Sequence, residues 1–441
     1  MRYIYTPYLP NSDRYAIKGS GYKRVGGNFM TTIQQDKTMI KIKKIDISNY
    51  RSCIKTRVEI ETDLTTLIGV NGVGKSNILN SIQLLKRINR NRYFHQRSLF
   101  ETLSHTRLDI LLDIDSKVYN LKADIYYDTN EANLEEIYSA ELKIKNTTTP
   151  NSKWIEIDAD LYEFVDYMHR TQGKVDLNKV QFKKEKPIEE IRFAIEVISY
   201  LTNISYYSAT QFSDPTKCPI SLELEDSRLV RPFRKSKTHE QFIYDLYRTY
   251  KTEPKSFNKY INTVNQNGIG LIDNITFFDH KIPSSSLKVR AGGQVEKIER
   301  VKNIVVPSII IDGLNLSPNQ LSEGTFKTLA LVFYILNDES DLLLIEEPEV
   351  CVHHGLLSSI IELIRTQSKY KQIFISTHSD YVLDKLSPEN IVLVKRNRET
   401  GTVATTLPKS LSKNDFKALK EYLKESGNLG EYWKEGGFEY E

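Results

Sequence analysis

The sequence has little cysteine, no long apolar run and almost no excess of one charge. The three cysteines, Cys53, Cys218 and Cys351, lie far apart, which argues against a disulfide framework or a zinc site and favours a reducing compartment. No apolar run approaches the roughly 20 residues needed to span a bilayer. The polar N-terminus has no signal-peptide core, so we expect a cytoplasmic protein without membrane contact. A net charge of +4 does not by itself indicate nucleic-acid binding.

Apolar residues predict alternating strands and helices near both ends of the chain. Residues 40–47 have strand alternation, and the apolar run 64–68 precedes a glycine-rich loop and a helical pattern over 78–85. Further on, 342–345 and 373–375 are predicted to be buried strands separated by a helix. This alternation predicts an α/β fold with a parallel sheet, to which both pieces contribute strands.

The middle of the chain is predicted to be an insertion between these two pieces. Residues 108–157 contain several short strand patterns separated by Asp and Asn turns, which predict an antiparallel sheet. Residues 188–201 predict a helix, and residues 239–262 predict helical structure with one break at Pro254.

The segment GVNGVGKS fits the phosphate-loop pattern at every fixed position. Such glycines let successive N–H groups face a phosphate, and the following helix directs its positive end at the same anion. We expect Lys75 to contact the β- and γ-phosphates and Ser76 to offer its hydroxyl to magnesium. The predicted nucleotide-binding residues here are Asn71, Gly72, Val73, Gly74, Lys75, Ser76 and Asn77. The alternative, an ordinary glycine turn, is disfavoured by the strand–loop–helix context.

Two acids, Glu346 and Glu347, end the apolar run 342–345. Carboxylates at the C-terminal tip of a buried parallel strand lie where such sheets bind ligands. We expect Glu346 to hold magnesium, directly or through water, and Glu347 to orient and deprotonate the attacking water. A solvated acidic turn is the alternative, and the accompanying phosphate loop disfavours it.

Two further motifs accompany these. Ser322 is a natural N-cap for an apolar helix and Gly324 permits close approach, so this helix start is a second anion site. His378 directly follows the predicted strand 373–375, where it would sense the γ-phosphate or steady the water. Each motif alone would be read as structural, as a simple capped helix or an exposed histidine.

In this order the four motifs resemble those of the ABC-type ATPases, and more closely the OLD, RecF and SMC-like branch of AAA ATPases. The matching strings are NYRSC, LIGVNGVGKSNIL, LSEGTFKTLAL, LLLIEEPEVCVHH and IFISTHSDYVLD. The resemblance implies ATP and Mg²⁺ as cofactors and Lys75, Glu347 and His378 as catalytic residues. It also implies that Ser322 and Gly324 act on ATP bound by a second copy, in a homodimer or a higher even-numbered homo-oligomer.

Some positions depart from the transporter pattern or match it weakly. Glu346 stands where transporters usually carry Asp, and this double-Glu form resembles the OLD-like branch. The glutamine loop is not clear; Gln96 is our proposed metal ligand from it, while Gln83 lies on the phosphate-loop helix and is less suitable. By resemblance, Tyr50 and Arg51 lie near the nucleotide, and Arg51 is predicted to bind it.

The predicted architecture is an ABC-type P-loop ATPase head with an antiparallel β lobe and an inserted helical region. The predicted segments are an N-terminal arm or extension (1–38), an ATPase N-terminal lobe (39–160), an inserted mostly helical region (161–305), an ATPase C-terminal lobe (306–410) and a C-terminal helix and tail (411–441).

The segment after His378 bears on the biological role. OLD nucleases carry a Toprim nuclease domain after the ATPase, and the 63 residues that follow His378 are too few for one. We therefore expect no nuclease activity from this chain. The segments YYSATQFSDP and GNLGEYWKEGGFE resemble the PtuA ATPases of Septu anti-phage systems, which accompany a separate HNH-type nuclease, PtuB; the PARIS ATPase AriA is a second resemblance.

The leading hypothesis is thus a slow ATPase that acts as a nucleotide-controlled switch for a nuclease that attacks phage DNA. A RecF-like repair ATPase, a transporter ATPase subunit and a non-enzymatic ATP-binding scaffold remain alternatives. The long insertion and the double Glu argue against the transporter.

Two basic clusters and an aromatic tail are weaker signals. The clusters are plausible DNA-backbone contacts or solvated faces, with neither interpretation favoured. They comprise Lys86, Arg87, Arg90, Arg92 and Arg97, and Arg228, Arg231, Arg234, Lys235 and Lys237. The tail aromatics Tyr432, Trp433, Phe438 and Tyr440 would either cover the ATPase core, which we favour, or anchor a partner.

Overall fold

The structure is a computed structural model that describes residues 39–88, 105–130, 135–158, 160–162, 164–165, 187–225, 239–289, 295–350, 352–425 and 427–436. Its strands are β1 (Ile40–Tyr50), β2 (Cys53–Glu59), β3 (Leu64–Ile68), β4 (His105–Ile114), β5 (Lys117–Asn130), β6 (Glu135–Asn146), β7 (Ile155–Ile157), β8 (Ile204–Ser208), β9 (Leu222–Glu225), β10 (Asn274–Val289), β11 (Val295–Ile311), β12 (Leu314–Leu316), β13 (Leu342–Glu346), β14 (Gln372–Thr377), β15 (Ile391–Asn397) and β16 (Gly401–Thr406). Its α-helices are α1 (Lys75–Ile88), α2 (Ile188–Thr202), α3 (His239–Thr252), α4 (Pro254–Val264), α5 (Glu323–Asn337), α6 (His354–Gln367), α7 (Asp380–Leu383), α8 (Leu407–Ser410), α9 (Lys413–Lys424) and α10 (Leu429–Lys434).

Twelve of these strands form one mixed sheet in the order β7-β6-β5-β4-β1-β2-β16-β15-β3-β14-β13-β8. The run from β15 to β8 is parallel. The strands from β7 to β2, and the β15–β16 pair, are antiparallel. The prediction that both ends of the chain share one sheet is therefore confirmed, and so is the antiparallel lobe.

The burial of each strand explains why these sequences form this sheet. β3 and β14 are buried at every residue, as expected for parallel strands covered on both faces. In β4 buried residues alternate with more exposed ones, as expected for a strand with one face on the core. The sequence patterns thus separate the central parallel strands from the antiparallel lobe.

Helices cover both faces of the parallel strands. On one face, α1 and α2 pack with the antiparallel lobe, through side chains such as Ile82 and Ile198. On the other face, α3 to α6 form a second core through side chains such as Phe242, Phe326 and Ile361. Helices on both sides of a central parallel sheet define an α/β fold, so the predicted fold class is confirmed.

A second sheet contains β10, β11 and β12, with β9 paired to β11. The β10–β11 hairpin is paired continuously from Asn274↔Ile310 to Val289↔Val295. The predicted domain boundary between 305 and 306 falls inside β11. The region 161–305 contains the predicted helices α2, α3 and α4, but also three whole strands, one of which, β8, joins the main sheet beside β13.

Local helix signals behave as predicted. α3 ends at Thr252 and α4 begins at Pro254, which occupies the first turn of the new helix, where its missing N–H costs nothing. α2 begins after Pro187 and extends to Thr202.

Within the described ranges, no helix has the length and apolar character that crossing a membrane requires.

Candidate functional site

The C-terminal ends of three parallel strands lie side by side. Ile68 of β3 is paired with Thr377 of β14, and Ser376 of β14 is paired with Glu346 of β13. On its other side, Glu346 is paired with Ser208 of β8. The segments that follow β3, β13 and β14 therefore emerge at the same edge of the sheet, which is where open α/β sheets bind ligands.

The phosphate loop has backbone conformations that require glycine. Gly72 has φ +83° and Gly74 has φ +110°. A Cβ at Gly74 would lie 2.1 Å from Thr402 Oγ1 and 2.6 Å from Ser52 Oγ. Thr402 also donates a hydrogen bond to the carbonyl of Val73 at 2.8 Å, so β16 supports the loop from behind. The close approach at Gly74 leaves no room for a side chain.

The β1–β2 turn is hydrogen-bonded to the helix that follows the loop. Asn77 Nδ2 donates to Ser52 Oγ at 2.7 Å, and Ser52 Oγ lies 2.8 Å from Thr402 Oγ1. Arg51, in the same turn, is exposed, has φ +51° and places its guanidinium 5.3 Å from the centre of the Tyr50 ring. Arg51 therefore directly precedes Ser52, the residue of this turn that is hydrogen-bonded to α1.

Lys75 is buried, with 5% of its surface exposed. Its ammonium donates to the carbonyl oxygens of Gly69 at 2.8 Å and of Val70 at 3.1 Å. Burial lowers the pKa of Lys75 below its usual value, and the attraction of nearby carboxylates opposes this shift. These carboxylates are Glu347, Glu349 and Glu346. A triphosphate would replace the loop carbonyls as the partner of this ammonium.

The two acids at the tip of β13 have different surroundings. Glu346 Oε2 accepts a hydrogen bond from the hydroxyl of Tyr206, which lies on the neighbouring strand β8. Glu347 has φ +45°, a conformation that non-glycine residues rarely adopt and that often marks a functional position. Its backbone N–H donates to the carbonyl of Ser376 at 2.9 Å, which fixes the end of β13 against β14.

His378 lies beside two carboxylates. Its Nδ1 is 3.4 Å from Glu347 Oε1 and 3.3 Å from Glu349 Oε1, and 40% of the side chain is exposed. Burial raises the pKa of Glu349, against the opposing hydrogen bonds from Thr377 and from the His378 backbone. The structure therefore brings Lys75, Glu347 and His378 into one electrostatic group.

Sequence reasoning did not identify Glu349 or Tyr206 as members of this site. Glu349 is the third acid of the string EEPE, and Tyr206 is in the string YYSATQFSDP. Both strings belong to the motifs of the sequence, but only the contacts of Glu349 with Thr377 and of Tyr206 with Glu346 reveal what these two residues touch.

Ser322 caps α5, as predicted from the sequence. Its Oγ accepts a hydrogen bond from Thr325 N at 3.2 Å and lies 2.8 Å from Thr325 Oγ1. Ser322 is exposed and Gly324 is half-buried. Among the described residues, no hydrogen bond connects either of them to the phosphate loop of the same chain. The helix start is therefore accessible to a second molecule.

The donor set at the sheet edge fits Mg²⁺. Ser76 is half-buried in the first turn of α1, and Glu346 is half-buried at the tip of β13. No group of three or more His, Cys, Asp or Glu that would hold a metal occurs in the described part of the chain. Mg²⁺ does not need one, because it is usually bound by one or two carboxylates together with phosphates and water.

Several predicted residues lie outside the described ranges. Gln96, most of the first basic cluster and all of the second belong to these segments. Two members of the first cluster, Lys86 and Arg87, lie in the described helix α1. Lys86 donates to the carbonyl of Ile204 at 2.6 Å and so contributes to the fold.

A phosphate loop at the end of one parallel strand, an acidic pair at the tip of another and a histidine at the tip of a third are the features of a P-loop ATPase site. Residues 40–383 match the family described as AAA ATPase domain, and the chain belongs to this family. Both findings make it a nucleotide-binding ATPase. None of the curated proteins matches the sequence.

Among solved structures, the chain is similar to head domains of SMC proteins. One is an SMC head bound to the C-terminal winged-helix domain of ScpA, with 14% identity, a TM-score of 0.45, and coverage of 86% of this chain and 99% of that one. A second is the SMC head domain from Thermotoga maritima, with 12% identity, a TM-score of 0.40, and coverage of 83% and 98%. A third is the Smc head with an extended coiled coil, bound to the C-terminal domain of ScpA from Pyrococcus furiosus, with 13% identity, a TM-score of 0.43, and coverage of 88% and 100%.

Proposed function

We propose that this chain is a Mg²⁺-dependent ATPase that acts as the nucleotide-controlled switch subunit of a bacterial anti-phage defence complex in the cytoplasm. The observation that carries the ATPase chemistry is the meeting of Lys75, Glu347 and His378 at one sheet edge. ATP closes two copies around the nucleotide, and slow hydrolysis reopens them. A separate HNH-type nuclease is held or released by this change.

The roles of the residues follow from their positions. The loop N–H groups from Asn71 to Asn77 and the Lys75 ammonium bind the phosphates. Ser76 and Glu346 would hold Mg²⁺, which would neutralise the charge that develops on the phosphates. Glu347 accepts the proton of the attacking water, and His378 contacts the γ-phosphate.

The exposed start of α5 supports the dimer. Ser322 and Gly324 present backbone N–H groups and a hydroxyl at the positive end of a 15-residue helix. We infer that this end meets the γ-phosphate of ATP bound by the other copy. The complete site then requires a second chain, as in the homodimer or higher even-numbered homo-oligomer that the resemblance implies.

Replacing Glu347 by Gln tests the catalytic assignment. The amide keeps the size of the side chain but is not a base, so hydrolysis is expected to fall by about 10²–10⁴-fold. MgATP should still bind, and the ATP-bound dimer should accumulate, as measured by light scattering after size exclusion.

The matched control is Glu362→Gln, because Glu362 is 67% exposed and paired with Arg365 on α6. Wild-type turnover in E347Q would contradict the assignment, and no calorimetric heat with MgATP would contradict the nucleotide site itself.

The nuclease partner is supported by the Septu-like strings, and DNA is the proposed target of that partner. The chain itself is expected to cut no DNA, although its two basic clusters are proposed to contact the DNA backbone. Co-purification with an HNH-type nuclease encoded beside the ATPase separates this proposal from RecF-like repair, which needs no stable nuclease. Phosphate release that stays undetectable with and without DNA would instead favour a non-enzymatic scaffold.

A further inference from the structure

Glu349 is a buried carboxyl group to which the proposed mechanism assigns no role. It lies in the turn that follows β13, and 9% of its side chain is exposed. Its Oε1 accepts a hydrogen bond from Thr377 Oγ1 at 2.7 Å and another from the His378 backbone N–H at 3.0 Å. A single oxygen atom thus connects the turn after the acidic strand to the end of the histidine strand.

The same oxygen faces the imidazole ring. Glu349 Oε1 is 3.3 Å from His378 Nδ1, and Glu347 Oε1 is 3.4 Å from the same nitrogen. The Nδ1 edge of the ring is therefore directed at two carboxylates. This orientation leaves Nε2, on the opposite side of the ring, as the nitrogen that can reach a phosphate.

The burial of Glu349 argues that it is more than a packing residue. Its Oε2 is fully buried and has no hydrogen-bond partner among the described residues. An unpartnered buried carboxyl oxygen costs free energy that an apolar side chain of similar size would avoid. A position chosen for packing alone would therefore favour an apolar residue, whereas a position that must orient Thr377 and His378 requires an acceptor.

We propose that Glu349 is a positioning residue for ATP hydrolysis: it fixes His378 beside Glu347 and so directs the imidazole towards the γ-phosphate. The proposal rests on the proposed ATPase function and adds a residue to its machinery. Glu349 itself touches neither the phosphate nor the water; it acts through His378.

Variants on both sides of the hydrogen bond test this role. Glu349→Leu removes the acceptor. Thr377→Val removes one donor with almost no change of shape, and with it the acceptor of the Ser379 N–H at 3.0 Å. We expect kcat to fall by about 10–100-fold in E349L and by a smaller factor in T377V, because a shift of about 1 Å at a reacting group costs up to roughly 100-fold. KM for ATP should stay within about twofold of the wild-type value, since the phosphate loop is untouched.

Two further variants provide the controls. Glu349→Gln retains an acceptor oxygen and should restore most of the activity that E349L loses. Ser376→Ala removes the neighbouring hydroxyl, which is buried and makes no hydrogen bond to the described residues, and should leave kcat unchanged. If E349L does not fold, as judged by its melting temperature, T377V and E349Q carry the test.

A double-mutant cycle decides whether Glu349 acts through His378. In the His378→Ala background, E349L is expected to cause no further loss, because the group that it positions is gone. Equal losses in both backgrounds would overturn the proposal while leaving the ATPase function intact.

An NMR measurement, which needs no ATP turnover, tests the positioning role even if the protein hydrolyses no ATP. The Cε1–H resonance of His378, identified by its absence in H378A, should move in E349L and T377V and stay in place in S376A. An unmoved resonance overturns the positioning role, even if the wild-type protein releases no phosphate and the proposed function fails separately.

Discussion

Two glycines of the phosphate loop are under different constraints, although both have positive φ. At Gly72 an added Cβ would meet no atom within 4 Å, so the cost of a side chain there is conformational. At Gly74 the Cβ would overlap the hydroxyls of Thr402 and Ser52, which also bind Val73 and Asn77. A side chain at Gly74 therefore disturbs the packing that holds the loop against the sheet.

We expect Gly74→Ala to be much more damaging than Gly72→Ala. The left-handed conformation costs an L-residue about 1–2 kcal/mol, which is the whole effect at Gly72. At Gly74, overpacking adds about 1–3 kcal/mol, and the displaced loop should also lose MgATP affinity. Urea unfolding and calorimetry measure the two effects. Equal losses of stability in the two variants would show that Thr402 and Ser52 do not constrain the loop.

At the scale of residues, local motifs predicted which side chains meet, but not what holds them. The loop, the acidic pair and His378 follow predicted strands, so the parallel-sheet rule places them at one edge. The contacts Thr402–Val73 and Tyr206–Glu346 join residues 329 and 140 positions apart. Such contacts depend on the order and register of distant strands, which one sequence does not specify.

At the scale of elements, α5 combines a structural cap with the proposed contact to a second ATP. Ser322 Oγ accepts the Thr325 N–H, which would otherwise have no partner within the helix. A second helix offers a comparison, because Ser412 caps α9 by accepting from Asp415 N at 3.2 Å. The two serines have the same local role, but only Ser322 lies in the predicted anion site.

We expect Ser322→Ala and Ser412→Ala each to lower the free energy of unfolding by about 1 kcal/mol, the usual value of an N-cap. Ser322→Asp should retain the cap and the stability, yet its carboxylate should repel the γ-phosphate of the second copy. ATP-dependent dimerisation is therefore expected to be lost in S322D and unchanged in S412A. Normal dimers in S322D would argue against action of Ser322 on a neighbour's nucleotide.

The β10–β11 hairpin shows where element prediction fails. The helices around it have clear apolar periodicity, whereas residues 279–286 are an aspartate, a histidine, a lysine, an isoleucine, a proline and three serines. No strand alternation is present there, so a mostly helical region was predicted. The strands form because two long segments pair continuously with each other, and that pairing is a property of both segments together.

At the scale of the whole molecule, the C-terminal segment closes over the helix that follows His378. α10 packs on α7, and Leu429, Tyr432 and Trp433 join the apolar cluster that contains Ile68 and Leu383. Polar contacts reinforce this packing: Gly430 N donates to Asp384 Oδ1 at 2.7 Å, and Lys434 pairs with Asp380. The described part of the tail thus covers the ATPase core, the role favoured from the sequence; Phe438 and Tyr440 lie outside the described residues.

Removal of the tail should therefore act on the head itself. A chain that ends at Gly427 loses the burial of Leu429 and the partial burial of Trp433, and we expect a loss of about 2–4 kcal/mol of stability. ATP hydrolysis should fall as well, because α7 begins two residues after His378 and loses its covering helix.

A chain that ends at Gly436 keeps α10 and is the matched control, with stability and turnover expected at wild-type values. Thermal unfolding, phosphate release and the mass of the assembly in the presence of the nuclease separate the two roles of the tail. An unchanged melting temperature together with a lost partner in the shorter chain would show that α10 is a docking element and that its packing on α7 contributes little.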